Sequence, residues 1–396
     1  MTAHRTRRGA ISQLRIIVLG YLIRGPLGGY ASYHLQYLMG LARLGHDVYY
    51  LEDTGQWPYN PVAGEVASIS DFNVAYLADI MSRFGLANKW AYRFPWESQW
   101  FGIPDKERTA VIESADLLIN VSCALQRPTE YRQVKRLAYV DTDPVFTQIK
   151  LAHGQMDFRK LIDAHDVHFS YGEPLSEVGP VTGHQWRPMR KPIVLEEWRP
   201  STQCREAFTT VMNWTSYKNG EYQGQSYGQK DVEFMRFVEL PSKVAPTIPE
   251  MAAGSGKTRQ MPRDLLTRKG WHVVNPLKVC PDLDSYREYI ECSKAEWTVA
   301  KNGYVVGQAG WFSGRSAYYL AAGRPVVVQD TGFSPVIPVG EGVLSFRTME
   351  EAAAAIREVE GHYARHAKGA REIAEAYFDS HKVLNRLIEE SLKPDG

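Results

Sequence analysis

The chain has 396 residues, 44% of them hydrophobic and 23% charged, and its 46 basic and 45 acidic residues leave a formal net charge of +1. That length suits two domains of roughly 150 to 200 residues. The composition excludes disordered, fibrous and membrane-spanning classes, and the near-neutral charge argues against a long nucleic acid or an anionic membrane surface as partner.

In chain order, residues 1–13 form a polar leader whose His4, Arg5, Arg7 and Arg8 read as a solvated tail. The apolar run Leu14 to Leu22 is too short to span a bilayer and lacks a small-residue cleavage site, so the expectation is a cytoplasmic chain. Its core, Leu14 to Leu19, reads as a strand, and Gly25-Pro26-Leu27-Gly28-Gly29 as a turn into a helix near Tyr30. Leu35, Leu38, Leu41 and Leu44 follow at helical spacing, Gly45 closes the helix, and Asp47 to Leu51 resumes a strand. Further strands are expected at Asp116 to Val121, Arg136 to Val140 and Val167 to Tyr171. Short apolar runs separated by crossover helices make a parallel sheet covered on both faces.

Pro188, Pro192 and Pro200, with Trp186 and Trp198, break periodic structure and mark 186–204 as a crossing between domains. The first domain is thus 14–185 and the second 205–375. In the second, Phe208 to Met212, Trp271 to Val274, Glu296 to Ala300 and Pro325 to Gln329 repeat the alternation. Asn213 to Gly228 shows no period and reads as a long functional loop. A last helix and tail, 376–396, is expected to cross back onto the first domain. Cys123, Cys204, Cys280 and Cys292 form no C-x-x-C pair, so neither a zinc site nor a disulfide framework is suggested and no metal or other cofactor is expected.

The strongest chemical signal is Gly310-Trp311-Phe312-Ser313-Gly314-Arg315-Ser316, a small-residue turn opening a helix that Gly323 ends before the strand Pro325-Val326-Val327-Val328. A helix N-terminus presents unpaired N–H groups and partial positive charge, so with Ser313, Arg315 and Ser316 it makes a cradle for a diphosphate. This turn, helix and G-x-P-V-V strand resemble the nucleotide-sugar signature of GT-B glycosyltransferases. The longer G-W-F-S-x-R-S and Y-L-A-A-G-R-P-V-V-V-Q-D-T-G-F runs resemble bacterial, often actinobacterial, members. The resemblance implies an α/β fold of two Rossmann-like domains with parallel sheets facing across a cleft, the donor on the second domain and the acceptor on the first. Retaining members carry an E-x(7)-E motif; the matching positions here are Gly310 and Tyr318, and neither offers a carboxylate.

On the donor side, Asp330, Thr331 and Gly332 follow a strand where carboxyl ends face the ligand crevice. Lys301 is placed to neutralise a leaving phosphate, and Thr215, Ser216 and Lys218 follow the second domain's first strand. On the acceptor side, Asp141 and Asp143 end a central strand, and a carboxylate there can take the acceptor's proton. His34, one turn into the first helix, is the rival base, and Glu173 a third candidate. The segment from Tyr92 through Phe94, Trp96 and Trp100 is apolar and irregular enough to line an acceptor pocket.

Gly254-Ser255-Gly256-Lys257-Thr258 imitates the end of a P-loop, but Met251 stands where the first glycine is required and no apolar strand is seen before it. Nor does the first turn fit G-x-G-x-x-G, although Glu52-Asp53 after the second strand imitates a ribose-binding acid. The reading is transfer of a sugar from a nucleoside diphosphate to a small-molecule or glycan acceptor. A sugar-nucleotide epimerase, a DNA-base glycosyltransferase, disfavoured by charge, and a catalytically silent binding subunit are its alternatives.

Overall fold

Ile16 to Leu19 are fully buried, a state strands reach inside a sheet covered on both faces. The computed structural model describes residues 12–68, 70–96, 98–173, 180–200, 205–256 and 258–393, so nearly all of the expected leader, Cys204 and Lys257 lie outside the described residues. The first half runs β1 (Arg15–Leu19), α1 (Gly28–Arg43), β2 (Asp47–Glu52), β3 (Tyr59–Asn60), β4 (Glu65–Val66), α2 (Asp71–Arg83), β5 (Trp90–Arg93) and β6 (Trp100–Gly102). It continues with α3 (Asp105–Ser114), β7 (Leu117–Val121), β8 (Leu137–Asp141), α4 (Phe146–Ala152), α5 (Met156–Asp163), β9 (Val167–Ser170) and β10 (Trp186–Pro188). Its sheet has the order β10-β9-β8-β7-β1-β2-β5-β6, parallel except where β6 turns back on β5. In β1, Ile16 and Val18 join the apolar cluster under α1, and Ile17 and Leu19 join the one on the opposite face, the two-residue alternation that puts a core on each side.

The second half opens with β11 (Ala207–Asn213), β12 (Gly220–Tyr222), β13 (Gln225–Tyr227), α6 (Lys230–Arg236), α7 (Leu240–Val244), β14 (Ile248–Gly254), α8 (Arg263–Arg268), β15 (His272–Val274), α9 (Pro276–Val279) and α10 (Leu283–Glu291). It closes with β16 (Ala295–Thr298), α11 (Asn302–Val306), α12 (Gly314–Ala321), β17 (Val326–Gln329), β18 (Val343–Phe346), α13 (Met349–Gly361), α14 (Tyr363–Tyr377) and α15 (Ser380–Leu392). Its sheet, β15-β14-β11-β16-β17-β18, is parallel throughout.

Two expectations need correction. Asn213 to Gly228 is not an aperiodic loop: β12 and β13 form an antiparallel hairpin. It rests on α4 of the first half, where His153 Nε2 bonds Glu221 O at 2.5 Å and Gly220 packs beside Ile149 and Phe146. A strand, β14, does precede Gly254; no helix follows the turn until Arg263, so the P-loop arrangement is still not met.

The chain crosses between the halves twice, side by side. Ile193 N–H donates to Phe378 O at 2.7 Å and Ser380 N–H donates to Ile193 O at 2.8 Å. Past that bridge α15 returns to the first half, where Leu384, Leu387 and Ile388 enter the core that holds Leu35, Leu38 and Leu41 of α1. The contact is close enough that a Cβ on Gly40 would stand 2.5 Å from Leu384 Cδ1.

Leu384 is fully buried in that joint. Leu384→Ala is expected to cost about 2–5 kcal/mol of stability, measured as a lower urea midpoint for unfolding of the first half. A midpoint equal to wild type would show that α15 is not part of its core.

Candidate active site

The C-terminal edges of both parallel sheets face each other, the position at which open α/β sheets bind ligands. The loop leaving β1 is pinned by Glu52, whose carboxylate accepts from Ile23 N–H at 2.8 Å, Arg24 N–H at 2.7 Å and the Tyr50 hydroxyl. Glu52 is fully buried, and burial pushes its pKa up to about 7 against the effect of those donors. Its neighbour Asp53 is also buried and is held by Arg127, Arg93 and the Tyr131 hydroxyl, so neither carboxylate is open to a ribose.

Asp141 and Asp143 leave β8 in opposite directions. Asp141 Oδ1 accepts from Thr147 Oγ1 at 2.7 Å and Asp143 N–H at 3.0 Å; Oδ2 accepts from Gln148 Nε2 at 3.1 Å and Ser170 Oγ at 3.0 Å. Burial raises its pKa despite those four donors. With its oxygens occupied and 1% exposure, Asp141 secures the start of α4, and the expectation that it serves as a base is corrected. Asp143 reaches across the cleft. Its Oδ1 accepts from Lys301 Nζ at 2.8 Å and from the Tyr304 hydroxyl, and its Oδ2 from the Tyr217 hydroxyl. Burial works to raise its pKa, and the Lys301 ammonium with the two phenols outweighs it, so the carboxyl titrates below its ordinary value. Asp143 is a pinned anion joining the halves; acting as a base would require its release from all three donors.

His34 is 1% exposed. Burial, with the Lys191 ammonium adding to it, lowers its pKa to about 3, so the imidazole is neutral. Its Nδ1 has no hydrogen-bond partner, and a Cβ on Gly20 would stand 2.3 Å from that atom. Glu173 Oε2 is paired with Arg190 at 2.9 Å.

Across the cleft, α12 begins at Ser313, whose Oγ accepts from Arg315 N–H at 3.2 Å. The Arg315 side chain turns inward rather than toward a ligand. Its Nε donates to Glu296 at 2.5 Å, Nη1 to Val211 O at 2.5 Å and Nη2 to Thr298 Oγ1 at 2.9 Å. The expected role as a diphosphate donor is corrected on that geometry: the guanidinium ties α12 to the sheet through an ion pair whose acid is fully buried. Asp330 is likewise occupied, accepting from Gly332 N–H, Ser334 Oγ and Arg347 Nη2 at 2.9, 3.1 and 2.8 Å, which makes it a turn cap instead of a sugar ligand. Thr331 Oγ1 donates to Trp311 O at 2.6 Å. Thr215 Oγ1 accepts from Thr258 N–H at 3.1 Å and so closes its own loop, Ser216 N–H bonds Gln229 Oε1 at 3.3 Å, and Lys218 is exposed.

Gly310 has φ 67° and packs so closely on Glu173 that a Cβ would stand 1.7 Å from its carbonyl oxygen. No side chain fits there, which accounts for the missing acid of the E-x(7)-E pattern. At the other matching position the Tyr318 ring stacks on Trp198, 4.5 Å between centroids.

Between α1 and α12, His34 Nδ1 and Ser316 Oγ are buried polar atoms without a hydrogen-bond partner, whereas the Tyr318 hydroxyl is turned to Ser32 and the Tyr33 hydroxyl to Tyr171 and Thr142. Lys191, 1% exposed in the crossing segment, donates to Tyr33 O, lies over the Tyr33 ring, and burial holds its pKa well below the ordinary value. Each such group costs free energy until something bonds it. Lys230, the first residue of α6, was not among the residues expected at the site. It makes no hydrogen bond or ion pair with any described residue, and burial, then the charge of Arg315, presses its pKa well below the ordinary value. Its only sequence signal was a lysine at a helix start after a polar loop. Among the described residues no group of three or more His, Cys, Asp or Glu is placed to hold a metal ion, and no helix is long and apolar enough to cross a membrane.

No family model and no curated protein matches the chain. Solved structures do. An alpha-glucosyltransferase in complex with UDP and a 13-mer DNA aligns with 97% of this chain and 100% of its own at 12% identity and TM-score 0.59. HepE from Anabaena, in complex with UDP and glucose, aligns over 96% and 99% at 12% identity and TM-score 0.55. Sucrose-phosphate synthase from Thermosynechococcus elongatus aligns over 95% and 98% at 12% identity and TM-score 0.54. The chain therefore has the GT-B fold, as expected from its sequence.

Two outcomes follow from this geometry. Arg315→Ala leaves Glu296 buried and uncompensated, so a loss of about 3–5 kcal/mol of stability is expected, seen in urea unfolding; unchanged stability would return Arg315 to the ligand. For Glu52 the folded pKa of about 7 exceeds the ordinary value of 4.5, so its contribution is fully present below pH 4.5 and is lost as pH rises through 7. Melting temperatures from pH 5 to 8 should therefore fall more steeply in wild type than in Glu52→Gln, and parallel curves would refute the assignment.

Proposed function

We propose that the chain is a glycosyltransferase that holds a nucleoside diphosphate sugar against its second half and passes the sugar to an acceptor on the first. The observation that carries this reading is Lys230: an unpartnered ammonium at a helix start, beside Arg315 and Lys301, on the donor side of a GT-B cleft. Three cations sit together there, and Arg315 and Lys301 are each matched by a single carboxylate, Glu296 and Asp143. A diphosphate supplies negative charge to this cluster, and its approach favours the charged form of Lys230, which burial disfavours. The structurally similar alpha-glucosyltransferase and HepE were both solved with UDP, which supports a uridine nucleotide as the first donor to try.

As the sugar leaves, charge builds on the diphosphate. Lys230 and the open N–H groups at the start of α12 are fixed where that charge develops, and fixed donors need no rearrangement at the moment of reaction. The unpartnered hydroxyl of Ser316 offers a hydrogen bond to a hydroxylated group between the halves. Lys301 is shared: a phosphate oxygen competes with Asp143 for it, which loosens one of the three donors that hold Asp143.

Lys230→Met removes a charge-assisted contact without enlarging the side chain. Expected is a weakening of UDP binding by about 1.5–3 kcal/mol, measured calorimetrically, with the melting temperature held. If UDP binds the variant as tightly as wild type, the diphosphate does not sit at Lys230.

A further inference from the structure

On the rim of the first half, apart from the donor-side residues, lies a pair of exposed indoles. Trp96 is 62% exposed and Trp57 37%; their ring centroids are 6.4 Å apart with 33° between the planes. Trp57 is held edge-on by the buried Phe94 at 5.4 Å and 87°, so the platform is fixed from below. These residues follow β2 and β5, on the same sheet edge as Asp143. Asn73 Nδ2 donates to both Ile23 O and Tyr59 O, which clamps the Trp57 segment to the loop leaving β1. On that loop Arg24 Nε donates to Gln56 Oε1 at 2.8 Å, giving the platform a polar border, and Tyr21 continues the surface inward to His34, 6.1 Å between rings.

The charge around the platform selects the ligand. Residues 53–72 contain no Lys or Arg and include the acids Glu65 and Asp71, while Arg93 and Arg127 are paired with the buried Asp53 and with Glu130. A polyanionic backbone or an anionic membrane leaflet needs a basic surface, and none is offered here. A pyranose ring meets what is offered, with an apolar C–H face for the indoles and a rim of hydroxyls for Arg24 and Gln56. Paired exposed aromatic faces leave apolar area that such a ligand covers.

We infer that Trp57 and Trp96 form an acceptor subsite for a neutral carbohydrate, which stacks on the indoles while its reacting end points along Tyr21 to the cleft. This deepens the transferase reading and rests on it. The test is calorimetric titration of the full chain with neutral hexasaccharides of α- and β-linked glucose and β-linked mannose. A 13-nucleotide single-stranded DNA, vesicles of phosphatidylcholine with phosphatidylglycerol, and UDP, GDP, ADP and dTDP are titrated in parallel. Expected is saturable binding of at least one hexasaccharide, roughly tenfold weaker in Trp96→Ala, largely kept in Trp96→Tyr, with UDP affinity the same in all three proteins. Trp96 is exposed, so its replacement leaves the fold intact, and a matching melting temperature checks this. The subsite is overturned if no hexasaccharide binds, if Trp96→Ala binds as wild type does, or if the DNA or the vesicles bind through Trp96 instead. UDP binding without hexasaccharide binding would sink the subsite and leave the donor reading standing. Hexasaccharide binding through Trp96 with no binding of UDP, GDP, ADP or dTDP would overturn the transferase reading, and with it the role as acceptor.

Discussion

Asp143 keeps its negative charge at the floor of the cleft because Lys301, Tyr217 and Tyr304, all from the other half, outweigh the cost of burying it. The surrounding contacts are shaped to permit that approach. A Cβ on Gly303 would stand 2.5 Å from Phe146, and one on Gly307 would stand 2.7 Å from Val145. Val145 itself takes φ 72° to enter α4, an unfavourable conformation for a β-branched residue. The hairpin β12–β13, which follows Tyr217, packs on α4 as well, with Gly220 against Phe146 and Ile149. Lys230 and α12 belong to the second half and the loop after β1 to the first, so the distances between them follow from this joint. Removing one partner of this part-buried pair leaves the other without its counter-charge.

The framework could be read from the sequence where burial repeats a simple period. β1, α1 and β2, and the strands at 117–121, 137–141 and 167–170, lie within a residue or two of where apolar runs placed them. The period fails where a buried strand carries polar residues. β14 reads Ile-Pro-Glu-Met-Ala-Ala-Gly, and its Glu250 is buried because Arg205, Tyr289 and His272 satisfy it from distant positions. The hairpin escaped because its stability comes from packing on α4, some seventy residues earlier, and not from its own pattern. β18 and the antiparallel turn of β6 onto β5 were unmarked for similar reasons.

Site chemistry was harder still, because a charged residue's role depends on whether a partner has already claimed it. Arg315 at a helix start looks like a phosphate ligand until Glu296 is found beneath it. Asp141 looks like a base until Thr147, Gln148 and Ser170 close round it, and Asp330 looks like a sugar ligand until Arg347 pairs with it. Lys230 is the converse case: nothing in its local sequence is unusual, and only the lack of a partner among the described residues draws notice. The GT-B resemblance gave the fold, while which side chains along the cleft are already paired follows only from how the chain packs.

The return of α15 to the first half also orders events during synthesis. The apolar stripe of Leu35, Leu38 and Leu41 on α1 is made more than three hundred residues before its cover, Leu384, Leu387 and Ile388. The core of the second half takes Ile373, Ala374 and Phe378 from just before that cover. The earlier-made half is therefore the later one to be completed.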